Sequence, residues 1–548
     1  MGQGFREYPF VPPGISVTEP VSRRLQWKPL SEFSDPDSTL GNDNKYYYLF
    51  ILLQKQYSQL STNSQKPSFG VGIDYGTSNS TAAVFDGCRL HLVHLEFQNP
   101  VMPSATYVDK AIQIKTGQAA IDTYVESNVG RTVELSSEVL GEARNQTGQI
   151  GDHGLPEESN TVKVYGQPIV DAGMPGRLFR GIKRLLGNSQ APRLMVFDRP
   201  FRIVALITPL LLRIRESTQS LLTSLGSDEE LDHACIGHPV NFEGKESGRN
   251  SHALALLSEA YGYAEIKAQS FYPEPVAATL SYLHEHGGSG DQTILTLDFG
   301  GGTLDLCVLR WQEQDFRVLA THGIGLGGDH IDQALFRELL FPELGKGELW
   351  RRKGEDREIS TLFPFEDYEE LLLNWPISYM LNQNRYTSPL KQRIDYGDAA
   401  AHKFRRLYDL IKNNYSYLVF QAIKDLKSTL SREEEATLDI AELDLEINVT
   451  RAQFETMIAG SLNRVESSLE AVLGQAGLQT GEIDRVLRTG GSSLIPAVRQ
   501  ILEARFPGRV VEHNPFTSVA AGLAIAEYKG LGLSLKRASD IPLPAAEP

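Results

Sequence analysis

Cysteine is scarce. The 548 residues hold only Cys88, Cys235 and Cys307, and no two stand at CxxC spacing. Neither a disulfide framework nor a cysteine zinc site is expected, and a reducing compartment fits. Long apolar runs are missing as well. The longest, Tyr46 to Leu53, is far short of the roughly 20 residues a bilayer demands. The first residues carry Arg6 and Glu7 and no apolar core, so no secretory leader is expected and the location read from the sequence is cytoplasmic. Positive charge is in deficit: 53 Lys and Arg face 69 Asp and Glu, a formal net charge of −16. Coating nucleic acid requires clustered cations, so that class of partner is excluded, as is a membrane.

Common site motifs are absent too. No GxxxxGK[ST] loop occurs, because Gly244-Lys245 is followed by Glu246 and Gly345-Lys346 by Gly347. Gly323-Ile-Gly325-Leu-Gly327-Gly328 matches GxGxxG but lacks the strand-end acid about 20 residues on that a dinucleotide site needs. There is no HExxH, and the 12 histidines are scattered. The acidic run Glu433–Glu435 reads as a solvated loop between strand-like segments.

What is present is an ordinary globular composition, 41% hydrophobic and 22% charged, with one unusual design used twice. Phe69-Gly-Val-Gly-Ile-Asp74-Tyr-Gly76-Thr77-Ser78 leads through a glycine turn into a second apolar strand ending at Phe85. Thr293-Ile-Leu-Thr-Leu-Asp298-Phe-Gly300-Gly301-Gly302-Thr303-Leu-Asp305 repeats the pattern and runs on to Leu309. Each time Asp ends a strand and an aromatic residue precedes the first turn glycine, which points to a duplicated α/β architecture. Glycine lets backbone N–H groups approach phosphate oxygens, and Thr77, Ser78 and Thr303 add hydroxyls. Asp74 and Asp298 are then placed to face a magnesium ion. A third glycine turn, Gly490-Gly491-Ser492, follows the strand ending at Thr489. Helices are expected over 206–225, 251–261, 274–283, 453–474 and 495–505, and a strand over 232–239. Pro275 suits the first turn of its helix. A long polar insertion covers 334–420. Residues 1–67, with scattered prolines, read as a disordered extension.

The series GIDYGTSNS, KRLLG, GHPVNF, EPVAATLSYL, LDFGGGTLD, GLGGDHID and RTGGSSLIPAV resembles the nucleotide-binding domain of the 70-kDa heat-shock (DnaK-type) chaperones, over about residues 69–530. Its GHPVNF, the insertion around Asn374-Trp-Pro and Phe516-Thr-Ser-Val-Ala-Ala-Gly522 look like the YegD-type heat-shock-like proteins. The resemblance implies an actin-like ATPase fold (ribonuclease-H-like, duplicated): two lobes, each a β-sheet flanked by helices, with an ATP cleft between them. Lobe I would cover 68–285, with a subdomain at about 107–200. Lobe II would cover 286–530, with an insertion subdomain at about 334–454, and 531–548 would be a tail.

The same resemblance implies roles. Asp74 and Asp298 match magnesium-site aspartates. Gly76, Thr77 and Ser78 match the first phosphate loop, and Gly300, Gly301, Gly302 and Thr303 the second, with Gly327 and Gly328 beside it. Lys183 and Glu274 match the lysine and glutamate that support hydrolysis, and Asp305 a water-positioning aspartate. Lys427 and Ser431 match adenosine contacts, as do Gly490, Gly491 and Ser492. Departures fall at the adenosine end: Leu494 and Ser428 stand where arginines are usual, and Phe516 replaces an aspartate. Only about 18 residues follow Gly530, so no peptide-binding domain is expected. The implied activity is slow, magnesium-dependent hydrolysis of ATP to ADP that drives lobe closure, with a protein partner or co-chaperone docking on the lobes. The alternatives are a nucleotide-binding scaffold without hydrolysis and a small-molecule kinase of the same superfold.

Overall fold

The computed structural model describes residues 68–133, 135–145, 160–171, 173–188, 194–197, 199–243, 248–287, 290–312, 315–353 and 358–531. The expected extension over 1–67, including Tyr46–Leu53, and the tail past 531 lie outside the described residues.

Two sheets share one topology. In the first, strands run in the spatial order Ala268–Pro273, His233–His238, Gly70–Tyr75, Asn79–Phe85, Leu90–Leu92. The Gly70–Tyr75 strand pairs antiparallel with the hairpin strand that follows it and parallel with His233–His238. In the second sheet the order is Val510–Glu512, Arg485–Thr489, Gln292–Phe299, Leu304–Gln312, Asp315–Ile324. The directions repeat: an antiparallel meander, then two parallel strands on its other side. Parallel strands need a crossover, and helices supply it. The internal repeat in the sequence thus corresponds to two equivalent sheets, and the fold is the actin-like ATPase fold.

Two helices interlock the sheets. Glu274–His286 follows the last strand of the first sheet, and its buried residues join Ile294, Cys307 and Leu309 of the second. Ser518–Tyr528 follows the last strand of the second sheet and packs on Ala83 and Phe85 of the first. Both are almost wholly buried along their length, as their lack of a polar stripe requires. Their close approach depends on missing side chains. A Cβ on Gly522 would lie 1.7 Å from the Ala277 carbonyl oxygen, and one on Gly72 would lie 2.2 Å from that of Ala520. Buried hydroxyl pairs, Thr279–Thr296 at 2.6 Å and Thr489–Ser518 at 2.8 Å, tie each helix to the second sheet without leaving polar atoms unmet.

The expected elements are present with small boundary shifts: helices Ile203–Ser224, Arg249–Tyr263, Glu274–His286 and Pro496–Arg505, and the strand His233–His238. The expected helix over 453–474 is two, Arg451–Met457 and Ala459–Ala476, the first entered through a Thr450–Gln453 capping box. Glu433–Glu435 is solvent-exposed as expected, but it lies between a helix and a strand rather than between two strands. It follows the helix Ser416–Leu430 and opens the strand Glu435–Ile440, and Glu434 pairs with Arg451. The polar insertion is not loose chain: Phe341, Phe363, Phe365, Tyr368 and Phe404 continue the apolar core of the second sheet into it. Its upper end meets the other half of the molecule through Tyr124, Trp375 and Tyr417, whose rings meet edge-on or tilted with centroids 5.0–5.7 Å apart.

The helix seam makes a direct prediction. Gly522→Ala is expected to lower stability by about 3 kcal/mol, since overpacking a dense core costs that order. Gly460→Ala, on an open helix face with nothing near its Cβ, should leave the thermal midpoint unchanged or slightly raised. Equal midpoints for the two variants would overturn the close-packed seam.

Candidate functional site

A cleft of about 750 Å³ opens between the two sheets. Its floor is built by the three glycine turns. Gly76 to Ser78 joins the first hairpin, Gly300 to Thr303 joins the second, and Gly490 to Ser492 leaves the parallel strand Arg485–Thr489. The turns touch one another. Ser492 Oγ donates to the Gly300 carbonyl at 2.8 Å, and the Gly328 and Asp329 amides donate to the Gly300 and Gly301 carbonyls at 3.0 and 2.9 Å. A Cβ on Gly301 would lie 2.1 Å from Ser78 Oγ, and one on Gly327 2.2 Å from the Gly301 carbonyl oxygen. Gly490 takes a positive φ of 78°, beside the Phe299 backbone, which explains glycine there.

Strand register delivers the acids. Asp74 lies opposite Thr81, and Asp298 lies opposite Asp305 in the matching place of the second hairpin. Two like charges directly across a hairpin oppose folding, so that pairing marks a site. Glu274 stands at the first turn of its helix, where Pro275 fixes the backbone and the helix dipole favours a carboxylate. Lys183 comes from the short turn Ile182–Leu185 and is only 5% exposed. Its Nζ donates to Glu274 Oε1 at 2.6 Å.

Three buried carboxyls, Glu274, Asp298 and Asp305, and the partly buried Asp74 therefore surround one ammonium. Burial and the charge of Glu274 push the Asp74 carboxyl up to about 7, with Lys183 opposing. Burial and Glu274 raise Asp305 to about 7 in the same way, although Thr303 and the Val240 amide, at 2.9 Å, hydrogen-bond it. Asp298 is pushed well above the usual carboxylate range by burial and by Glu274, Asp305 and Asp74. Burial works against the Lys183 charge, but Glu274 and Asp74 outweigh it and raise its pKa. Asp74 Oδ1 is buried without a hydrogen-bond partner. An oxygen-only, electron-rich donor set with an orphaned carboxylate oxygen suits a hard cation, and magnesium fits it.

Nearly all residues singled out from the sequence line this cleft: Asp74, Gly76, Thr77, Ser78, Lys183, Glu274, Asp298, Gly300, Gly301, Gly302, Thr303, Gly328, Lys427, Ser431, Gly490, Gly491 and Ser492. Two stand behind it. Asp305 is 1% exposed beneath Thr303, and Gly327 packs on Gly301. The sequence reading missed the ion pairs that line the cleft, of which Arg184–Asp329 crosses from one half to the other. Arg184 pairs with Glu243 at 2.9 Å and with Asp329 at 3.5 Å, and Lys427 pairs with Asp332 at 2.5 Å. The signal was the second basic residue in Lys183-Arg184, which no spacing rule connects to Asp329. At the far end, Leu494, Ser428 and Phe516 line the wall together with Arg432, Arg488 and Arg499. The half-exposed Phe516 ring lies over Gly491, and Arg488 is held by the Ser493 carbonyl at 2.7 Å and by Glu512.

Comparison with known proteins identifies related chains. A family model described as Hsp70 protein matches residues 201–349 and 399–528. That range includes Glu274, Asp298, Asp305 and Ser492 and passes over the insertion at 350–398. Among similar curated proteins are rice heat shock 70 kDa protein BIP3 and the DnaK chaperone protein of the red alga Gracilaria tenuistipitata. The chain is 26% identical to each over 459 residues, or 83% of its length. The Thermus thermophilus chaperone protein DnaK is 26% identical over 464 residues. The chain spans 56%, 59% and 60% of these three relatives, respectively.

The acid cluster carries a pH prediction. Asp74 and Asp305 titrate near 7 when folded and near 3.8 when unfolded. The folded chain then binds more protons between those values, so stability falls as pH rises through that window. In magnesium-free buffer, Asp74→Asn is expected to melt above wild type near pH 8 and to converge with it only as pH falls below about 4. Two flat, superimposed pH profiles would contradict the raised carboxyls.

Proposed function

The chain belongs to the Hsp70 protein family, and from that premise we propose that it binds magnesium–ATP between its two sheets and hydrolyses it slowly, closing the cleft as its output. The carrying observation is the juxtaposition of Asp74, Glu274, Asp298 and Asp305 around Lys183, above two glycine turns. Residues 68–285 and 286–530 are the proposed lobes, and a protein partner of the closed or open state is the proposed reader.

Phosphoryl transfer asks mainly for position and charge neutralisation. The turns at Gly76–Ser78 and Gly300–Thr303 would donate backbone N–H and hydroxyl groups to phosphate oxygens. Magnesium, held on the Asp74 and Asp298 side, would supply neutralisation of those oxygens. Lys183 has three N–H donors; one is used by Glu274, and the others would hold the terminal phosphate and the attacking water in line. Glu274 would keep Lys183 charged and accept a hydrogen bond from that water. Asp305, from behind, would aim the Thr303 hydroxyl. Lys427 and Ser431 flank the adenosine end. Arg184, bridging Glu243 and Asp329 across the cleft, gives closure an electrostatic latch.

The altered adenosine wall favours one second reading, a nucleotide-binding scaffold without useful hydrolysis. Leu494 and Ser428 offer no guanidinium, and Phe516 offers an apolar face for the base. A kinase acting on a small acceptor would need a further base in an acceptor pocket, and ATP consumption across a sugar panel tests for it.

Magnesium-dependent phosphate release by wild type is expected, with Lys183→Met slower by about 100-fold or more at retained ATP binding. Wild-type turnover no faster with magnesium than without it would defeat hydrolysis; tight calorimetric ATP binding alongside that result would establish the scaffold. Phe516→Ala should weaken ATP binding by about tenfold, since one base–aromatic stack is worth about 1–3 kcal/mol. Unchanged affinity would remove Phe516 from the base site.

A further inference from the structure

At the far end of the helix that carries Glu274, three ligand-type side chains converge. Glu285 and His286 close the helix Glu274–His286, and His513 follows the strand Val510–Glu512. One donor atom from each lies within 4.8 Å of the other two. Glu285 and His286 are exposed, whereas His513 is buried.

The hydrogen bonds around the rings fix which nitrogens face the cluster. His286 Nδ1 lies 3.2 Å from the Tyr282 carbonyl oxygen. A carbonyl only accepts, so Nδ1 carries the proton and the Nε2 lone pair is left for a ligand. His513 Nε2 lies 3.0 Å from Ser281 Oγ; with that nitrogen donating, the Nδ1 lone pair faces Glu285 Oε2, 3.8 Å away. Asn514 Nδ2, from a residue in the left-handed region at φ 34°, donates to the same Glu285 oxygen at 3.4 Å. The rings are already disposed edge to face, with centroids 6.0 Å apart at 73°. Tyr282 stacks on His286 at 4.4 Å and meets His513 edge-on at 5.5 Å, restricting both. The Tyr282 carbonyl sets the tautomer of His286, and the Ser281 hydroxyl is compatible with the matching tautomer of His513; such outer hydrogen bonds are the usual support of a metal-binding imidazole.

We propose that Glu285, His286 and His513 form a zinc-class cation site, with water completing the coordination. Two imidazoles and a carboxylate are a set that zinc accepts in an open tetrahedral site. Tetrahedral bonds of about 2.0–2.1 Å place ligand atoms about 3.3 Å apart, a contraction that the exposed Glu285 and His286 side chains can make around the fixed His513. The ion would join the helix bearing Glu274 to the segment that runs from His513 to Phe516 on the cleft wall. It is separate from the carboxylate-only set of the cleft, which suits a harder cation.

Chelator-stripped full-length chain, titrated with zinc chloride in magnesium buffer without nucleotide, tests the site. One saturable equivalent is expected by calorimetry, together with a raised thermal midpoint. Cobalt(II) in its place should show the intense visible bands of four-coordination rather than the weak bands of an octahedral ion. The exposed variants His286→Ala and Glu285→Gln should keep the metal-free midpoint and lose about tenfold or more in zinc affinity, while His94→Ala binds as wild type does. Absence of saturable binding, or wild-type affinity in His286→Ala, overturns the site.

Discussion

Four carboxyl groups confined with one ammonium at the seam of two sheets set the terms for the rest of the molecule. Asp74, Glu274, Asp298 and Asp305 meet Lys183 away from water, where like charges repel far more strongly than at a surface. A single lysine offsets only part of that repulsion, so protons or an added cation must take up the remainder. A core free to relax would separate these groups. They stay together because each is mounted on an element that cannot move alone: two hairpin strands in register, and a helix whose first turn is locked by proline.

The rigidity comes from the interlock. Each sheet sends its last crossover helix toward the other, and the two helices cross at Gly522 with backbone nearly touching backbone. Removing side chains at that crossing, and at Gly70 and Gly72, gives close packing at the cost of a conformationally looser unfolded chain. The seam therefore couples the halves at the base of the cleft. At its top the Tyr124–Trp375–Tyr417 aromatic cluster and the Arg184–Asp329 pair join the same halves through softer contacts. Screened ion pairs and a small aromatic cluster separate at much lower cost than a buried glycine seam. A rigid seam below and softer contacts above are what the proposed closure of the cleft would use.

The helix Glu274–His286 has its charged end at the cleft and its histidine end roughly 18 Å away, at 1.5 Å per residue. A stiff helix passes on displacement at one end to the other, and the His513–Phe516 segment gives the cleft wall a second connection to that far end.

Much of the site was legible in the chain because its parts are local. Asp–aromatic–Gly at a strand end, glycine turns and Glu-Pro at a helix start each occupy a few consecutive residues, and their chemistry follows from backbone geometry alone. The two-sheet duplication was legible for the same reason, since both hairpins repeat one pattern. Sequence spacing could not show that Asp305 lies behind Thr303 rather than at the cleft surface, because one residue of register in a strand decides the face. Arg184 beside Asp329, Phe516 over Gly491 and His513 beside Glu285 and His286 are partners separated by 145, 25 and 227 residues or more. The sequence by itself determined the element types, the glycine positions and the acids at strand ends and helix start, since these depend on neighbours along the chain. Only the tertiary structure decided which charges are paired, which carboxyls are crowded into raised pKa values and which histidines face one another, since those depend on how two distant sheets close on one seam.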